Sequence, residues 1–133
     1  MNKTASIEWL RIAYHDLKSA EILYEANHYT DTIGCDLQQA IEKILQSLLA
    51  YKNLKIPKSH DLYEIYDIID NITLEEFEIE ILEIATEYFK EDRYPNPNYC
   101  LPLRDEIKEV LDFTEELFNK ICDILNIDKS EVK

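Results

Sequence analysis

A single glycine, Gly34, is the feature that most limits what this 133-residue chain can fold into. Loops that cradle phosphates need several glycines, because the backbone must approach the phosphate with no Cβ in the way. P-loop and dinucleotide-binding folds are therefore excluded. Folds with many tight β-turns are disfavoured as well, since those turns rely on glycine. The chain is nevertheless 46% apolar and 32% charged, which is a globular composition. We predict one all-α domain.

Apolar residues spaced by three and four positions predict five helical segments and no strand. They are placed at about 6–27, 31–51, 61–70, 73–90 and 102–126. Short connections between long helices favour antiparallel neighbours, so we expect an up-and-down bundle of four to five helices. The single domain is expected to span 1–133, with its core at about 6–126 and a frayed tail after Asn126.

Local signals mark several helix starts. Asp61 followed by Glu64, and Thr73 followed by Glu76, resemble capping boxes that open the third and fourth helices. Pro102 suits the first turn of the fifth helix.

The formal charge of −14 repels nucleic acid and anionic membranes on average, so we expect no membrane binding, and binding to nucleic acid needs a local basic surface or a partner that supplies one. Residues 43–60 contain no acid and four lysines, namely Lys43, Lys52, Lys55 and Lys58. Residues 61–92 contain twelve acids against one lysine. This acidic stretch is either a solvated helix face or a surface that docks a basic partner.

The remaining composition points to a reduced, cytoplasmic protein without a metal or cofactor. Cys35, Cys100 and Cys122 are odd in number and widely spaced, which is not a disulfide framework. No apolar run is long enough to span a membrane. Glu25 and His28 form one Glu-x-x-His pair, whereas a di-iron bundle needs two. We therefore expect no metal site.

The proline-rich stretch between the fourth and fifth helices, residues 90–102, is called the connector below. Its Arg93 is one of three arginines in the chain and has the geometry to hold a phosphate with two hydrogen bonds. Tyr94 and Tyr99 are able to stack on bases. The alternative is that Arg93 pairs with a neighbouring acid and the tyrosines pack the connector onto the bundle.

Four short motifs occur in order along residues 8–125. They are Asp16-Leu17-x-x-Ala20-x-x-Leu23 with Asn27-His28-Tyr29, then Gln39-Ala40-Ile41-Glu42-Lys43, then Lys58-Ser59-His60-Asp61-Leu62, and finally Arg93-Tyr94-Pro95. Together they resemble the HEPN domain family (higher eukaryotes and prokaryotes nucleotide-binding), in its bacterial Arg-Tyr-Pro branch. The resemblance implies an up-and-down helical bundle that is usually dimeric.

The resemblance also implies work on RNA or nucleotides. Many members of the family are metal-independent endoribonucleases with an Arg-x4–6-His motif, and others are toxins whose partner is a minimal nucleotidyltransferase. Arg93 matches the motif arginine, but Asn98, Tyr99 and Cys100 occupy the positions expected for the histidine. An amide does not shuttle protons near neutral pH, and a phenol with a pKa near 10 does so poorly. Because the motif histidine is missing, the resemblance implies that any ribonuclease activity of this chain is weak or absent.

Four further residues are candidates for this site. His60 either substitutes as a base or anchors the third helix through Asp61. Lys43 either meets phosphate or satisfies an acid within the bundle, and Lys55 and Lys58 are further candidates for binding a nucleic acid or nucleotide.

Three functions remain open. The first is a partner of a nucleotidyltransferase in a toxin–antitoxin-like pair, with RNA or nucleotide binding centred on Arg93. The second is an active metal-independent endoribonuclease that uses Arg93 with His60 or Tyr99. The third is a structural module for dimerisation or protein docking. A homodimer is expected from surplus apolar residues, namely Trp9, Tyr14, Phe77, Phe89 and Phe118.

Overall fold

The structure is a computed structural model that describes residues 1–89 and 100–133. Within these residues the chain forms five α-helices and one short 3-10 helix, with no strand. The helices are α1 (Lys3–Glu25), α2 (Thr30–Tyr51), α3 (Leu62–Ile68), α4 (Glu76–Thr86) and α5 (Arg104–Ile124), followed by the 3-10 helix Lys129–Glu131. The predicted all-α bundle is confirmed.

Helix α2 is the central element of the bundle. Fifteen of its 22 residues are buried, and it packs against all four other α-helices. The buried set includes the polar side chains of Gln38, Glu42 and Gln46. Buried polar groups must find hydrogen-bond partners inside the protein, so α2 also organises the interior polar network of the bundle.

Capping signals from the sequence are correct at one helix and wrong at another. The carboxylate of Asp61 accepts hydrogen bonds from the backbone N–H groups of Tyr63 and Glu64, at 3.0 and 3.3 Å, so it caps α3 as predicted. Helix α4 instead begins at Glu76. The backbone N–H of the preceding residue, Glu75, donates to the side chain of Glu78 at 3.0 Å.

The physical reason for the later start of α4 is a contact with α3. The backbone N–H of Leu74 donates to the hydroxyl of Tyr66 at 2.8 Å, and the Leu74 side chain is buried. These contacts hold Leu74 outside the helix, so the expected start at Thr73 is wrong.

The fifth helix also begins later than expected. Pro102 lies before Leu103, the residue that precedes the first turn of α5. The hydroxyl of Thr30 donates to the Pro102 carbonyl oxygen at 2.6 Å, which ties this residue to the start of α2.

The C-terminal tail does not fray as expected. Ile127 and Val132 are 5% and 0% exposed and belong to the hydrophobic core. Two side chains of α1 also hold the tail, because Arg11 donates to the Glu131 carbonyl oxygen at 2.9 Å and Lys3 donates to that of Asn126 at 2.8 Å. Two apolar residues and two hydrogen bonds thus dock the tail on α1.

Candidate nucleic-acid site

A chain of polar side chains runs along α2. The Lys43 ammonium contacts Asp16 on α1 at 2.9 Å and donates to Gln39 at 3.0 Å. Gln39 in turn donates to Gln38 at 2.7 Å, and Gln38 lies 3.3 Å from a carboxylate oxygen of Glu42. The structure therefore engages Lys43 inside the bundle, which is the second of the two roles considered for it.

The polar chain ends at His60. Its Nδ1 lies 2.8 Å from Oε1 of Glu42, and its backbone carbonyl oxygen accepts a hydrogen bond from Gln38 at 3.0 Å. The carboxylate is nearly enclosed, with 8% of the Glu42 side chain exposed, whereas 45% of the His60 side chain is exposed. The His60 ring also stacks on Phe89, with centroids 3.9 Å apart and planes at 25°.

These contacts correct the anchor expected for His60. Asp61 caps α3 by itself, and His60 is bound to α2 through Glu42 and Gln38. Two groups therefore fix the imidazole, a carboxylate at Nδ1 and an aromatic ring against its face, while the Gln38 amide holds the backbone of His60. Among the described residues, Nε2 of His60 has no hydrogen-bond partner.

The loop that carries His60 is itself held in place. The hydroxyl of Ser59 donates to Glu64 at 2.6 Å and accepts from the backbone N–H of Asp61 at 3.1 Å. The N–H of Leu62 donates to the hydroxyl of Thr86 at the end of α4, at 3.1 Å. The loop before α3 and the end of α4 therefore form one unit, with His60 and Phe89 on it.

Tyr88, two residues before the connector, and Pro102, its last residue, are both fixed to α2. The ring of Tyr88 lies against Gly34, and its hydroxyl donates to Glu106 at 2.6 Å. Burial and the neighbouring carboxylate of Glu106 raise the pKa of Tyr88, so its hydroxyl stays protonated and able to donate. At the other end, Thr30 holds Pro102.

Half of the predicted site residues lie outside the described residues. These are Arg93, Tyr94, Asn98 and Tyr99, together with the predicted end of the fourth helix at Lys90. Of the residues that the structure describes, it brings His60 together with Glu42 and Phe89. The Lys43 ammonium instead contacts Asp16 on α1.

The basic stretch before His60 keeps two lysines without an ion pair in the described part of the chain. Lys52 forms an ion pair with Asp70, and Lys43 forms one with Asp16. Lys55 and Lys58 are exposed, and no ion pair within residues 1–89 and 100–133 involves either of them. Exposed lysines of this kind are available to an anion, and Lys58 is two residues from His60.

The acidic stretch is mostly a solvated surface. Ten of its twelve acids lie among the described residues, and all of these except Glu78 are exposed. No helix in the described part of the chain is long and apolar enough to cross a membrane.

The possible metal ligands and two of the cysteines are placed as follows in the described part of the chain. It contains no group of three or more His, Cys, Asp or Glu side chains arranged to hold a metal ion. Cys100 is exposed, and Cys122 is buried. Burial raises the pKa of the Cys122 thiol to about 11, which suits a core residue and not a nucleophile.

Sequence reasoning missed two partners of His60. Glu42 lies within the apolar stripe of α2, and a carboxylate at such a position must find a donor when it is buried. The position of Glu42 in the sequence therefore predicts that its carboxylate has a hydrogen-bond donor, but it does not identify that donor. Phe89 carried no signal, because its contact with His60 depends on how α4 packs beside the loop.

The chain is similar to known proteins in both sequence and structure. The family model described as HEPN domain matches residues 6–125. The chain is similar in structure to TT1696 from Thermus thermophilus, with a TM-score of 0.76 and 22% identity over 92% of this chain and 98% of that one. It is also similar to ST0689, an archaeal HEPN homologue, with a TM-score of 0.70 and 16% identity over 90% and 97% of the two chains. No curated protein matches the chain.

Proposed function

The chain belongs to the HEPN domain family, and we propose that it binds RNA or a nucleotide where the connector leaves α4. In this proposal it is the partner of a minimal nucleotidyltransferase in a toxin–antitoxin-like pair. Arg93 is the main phosphate ligand, and Lys58, Lys55 and Tyr94 assist it.

The observation that carries this proposal is the fixed, half-exposed ring of His60 against Phe89. Phe89 is the last described residue before the connector, and Arg93 follows it by four residues. Four residues of chain span at most about 14 Å, so Arg93 is within reach of the surface around His60. Lys55 and Lys58 supply two exposed cations on the loop that carries His60. This local basic group answers the objection raised by the overall charge of −14.

Binding is the first property to test. Labelled single-stranded RNA and, separately, ATP are titrated with the protein at low salt, where electrostatic binding is strongest. We expect Arg93→Ala to weaken RNA binding by about tenfold and to lower the slope of log K against log [salt] by about 0.7, the value for one lost phosphate contact on a single strand. Lys58→Ala is expected to act in the same direction. Lys120→Ala, at an exposed position on α5, is the matched control and leaves binding unchanged.

A wild-type protein that binds neither RNA nor ATP at low salt contradicts the proposal and leaves a structural or docking module as the better description. The partnership has its own test. A gene for a small nucleotidyltransferase is expected beside the gene of this protein, and the two products are expected to co-elute when expressed together. Absence of such a neighbour, or separate elution, contradicts the partnership without affecting the proposed binding.

A second candidate function is a metal-independent endoribonuclease. The observation that favours it is the contact between Glu42 and His60, because a carboxylate at Nδ1 of a histidine is an arrangement that serves general bases. The motif histidine is absent, so any cleavage needs a proton acceptor from elsewhere in the chain. Cleavage of an RNA pool in EDTA, lost in Arg93→Ala, is the expected result for this candidate.

A further inference from the structure

We propose that an exposed apolar patch where α2 and α5 begin is a docking surface for a basic segment of another protein. The patch consists of Tyr29, Leu101 and Leu103 and is called the apolar patch below. The segment that fits it carries large apolar side chains between lysines or arginines. This inference goes beyond the proposed binding of RNA or a nucleotide and does not depend on it.

The three residues of the apolar patch are brought together by one hydrogen bond. The hydroxyl of Thr30 donates to the carbonyl oxygen of Pro102 at 2.6 Å. Tyr29 precedes Thr30 in the chain. Leu101 and Leu103 are the two chain neighbours of Pro102. The start of α2 and the start of α5 therefore meet at this point, with the three residues of the patch around the contact.

The side chains of the apolar patch are unusually exposed for their size. Leu103 is 76% exposed, Tyr29 is 68% exposed and Leu101 is 47% exposed. Apart from Met1, no other large hydrophobic residue in the described part of the chain is as exposed as Leu103 or Tyr29. Single exposed apolar residues are common on proteins, but a contiguous group of them marks an interaction surface. The ring of His28 meets that of Tyr29 edge to face, with centroids 5.5 Å apart, and so supports it.

Two residues of the patch occupy positions where a polar side chain would stabilise a helix. Tyr29 and Leu103 are the N-cap residues of α2 and α5, and neither side chain makes a capping hydrogen bond. Serine, threonine, aspartate and asparagine are preferred at N-caps because their side chains accept hydrogen bonds from free backbone N–H groups. A departure from this local rule at two helices that meet is typical of a surface kept for binding. The helix starts also fix the backbone of both residues, so the patch is formed before a partner binds.

The charge around the apolar patch is negative. Asp31 and Asp105 lie in the first turns of α2 and α5, each two residues after an N-cap residue of the patch. Neither carboxylate has an ion pair within residues 1–89 and 100–133. The neighbouring cation, Arg104, is engaged elsewhere, since it donates to the Tyr24 carbonyl oxygen at 2.9 Å and lies over that ring at 4.3 Å. Two carboxylates beside apolar side chains therefore favour a partner that is basic as well as apolar.

A basic protein segment fits this surface better than the other possible occupants. A second copy of the chain would bring identical carboxylates together, and like charges across an interface are unfavourable. Nucleic acids and anionic membranes are repelled by the same carboxylates. Three side chains also cover far less than the ~800 Å² that each partner buries in a stable interface between two folded proteins. A short segment is therefore the occupant that they fit.

The probe is the peptide Lys-Lys-Leu-Leu-Lys-Lys with blocked ends, titrated at low salt into isotope-labelled protein and followed by NMR. We expect saturable shifts of the backbone amide signals of Tyr29, Asp31 and Leu103. Leu103→Gln replaces an exposed side chain that makes no capping hydrogen bond, so the fold is kept while peptide binding weakens by about tenfold. Ile22→Gln, at a position on α1 that is 65% exposed, is the matched control and leaves binding unchanged.

The contributions of charge and of apolar contact are tested separately. Asp105→Asn is expected to weaken peptide binding by about threefold at low salt and by less at high salt, because salt screens exposed charges. Asp123→Asn makes the same change of charge at an exposed position about 27 Å further along α5 and is expected to leave binding unchanged. A peptide with alanines in place of the leucines is expected to bind at least about fivefold more weakly.

Three results would overturn the inference. The first is a titration that shifts no signal of the apolar patch at about 1 mM peptide, or only signals of α4. The second is equal binding of the leucine and alanine peptides. The third is a shift of the patch signals with protein concentration in the absence of peptide, which would mean that a second copy covers the patch. None of these measurements involves RNA, so failure of this inference leaves the proposed function standing, and failure to bind RNA leaves this inference standing.

Discussion

The ring of Tyr88 rests directly on Gly34 of α2. A Cβ built on Gly34 would lie 2.9 Å from Cγ of Tyr88 and 3.0 to 3.2 Å from its two Cδ atoms, which is closer than ordinary contacts between carbon atoms in proteins. The one glycine of the chain therefore serves a close approach within a helix, not a turn. This contact also fixes the residue that precedes Phe89, so it supports the site.

Gly34→Ala is expected to destabilise the protein by about 1–3 kcal/mol, because the ring of Tyr88 must move from a packed position. The change would otherwise favour the helix by about 1 kcal/mol. The control is the same substitution in a Tyr88→Ala background, where the clash is gone and the sign reverses to a small gain. Urea unfolding of the four proteins measures both effects. A destabilisation of equal size in both backgrounds would show that contact with Tyr88 is not the reason for a glycine at position 34.

Features set by neighbouring residues in the chain were predicted well, and those set by packing were not. The cap at Asp61 depends on two N–H groups within three residues, so the sequence identifies it. The start of α4 depends on the hydroxyl of Tyr66, eight residues from Leu74, and the sequence misplaces it.

The same distinction between local and long-range contacts applies to the candidate site. His60 was identified from its motif, but Glu42 and His60 are 18 residues apart and meet only because the loop before α3 lies against α2. The anchor through Asp61, one of the two roles considered for His60, involves the nearest acid in sequence, whereas the structure pairs His60 with Glu42. Phe118 was counted as surplus apolar surface, yet it is 4% exposed, because the face of α5 that holds it is part of the core.

The docked C-terminal tail leads to a stability prediction. Val132 is fully buried, so Val132→Asp places an unpaired carboxylate in the core and is expected to destabilise the protein by about 3 kcal/mol or more. Deletion of Lys133, which is exposed, is the control and leaves the unfolding midpoint within about 1 °C. Thermal unfolding followed by circular dichroism checks both. Equal midpoints for the two variants would mean that the tail is frayed after all.

Cys100 and Cys122 are expected to react with thiol reagents at very different rates. A thiol-specific aromatic disulfide reagent at pH 8 should modify exposed Cys100 first, since the thiolate is the reactive form and must be accessible. Cys122 is buried and its pKa is raised to about 11, so it should react only after unfolding in urea. Cys100→Ser removes the fast phase and serves as the control. A fast phase that survives in Cys100→Ser would contradict this assignment.

The homodimer stays a prediction, and fewer exposed aromatic residues support it than the sequence suggests. Of the five aromatic residues that suggested surplus apolar surface, Phe77 is widely exposed at 57% and Phe118 is in the core. Sedimentation velocity at micromolar concentration is expected to give about twice the monomer mass of 15.8 kDa. A single monomeric species across that range would overturn the prediction.

A carboxyl pair between α1 and α5 is expected to make stability fall as the pH rises from about 4.5 to about 7. A hydrogen bond with Glu21, partial burial and the charge of Glu21 raise the pKa of Glu115 from 4.5 to about 7. The folded protein therefore holds one more proton than the unfolded chain between these two values, and the unfolding free energy decreases with pH in that interval. Both side chains are only partly buried, so solvent screening limits the change to about 1 kcal/mol at most.

Glu115→Gln tests this pair, because its amide donates to Glu21 at any pH. We expect the variant to be more stable than wild type at pH 8 and nearly equal at pH 5, so that the pH dependence between these values becomes flatter. Glu116→Gln, the exposed neighbour on α5, makes the same change of charge and is expected to keep the wild-type slope. Urea unfolding at the two pH values measures the difference. Parallel pH profiles for Glu115→Gln and wild type would show that the two carboxyl groups do not share a proton in the folded protein.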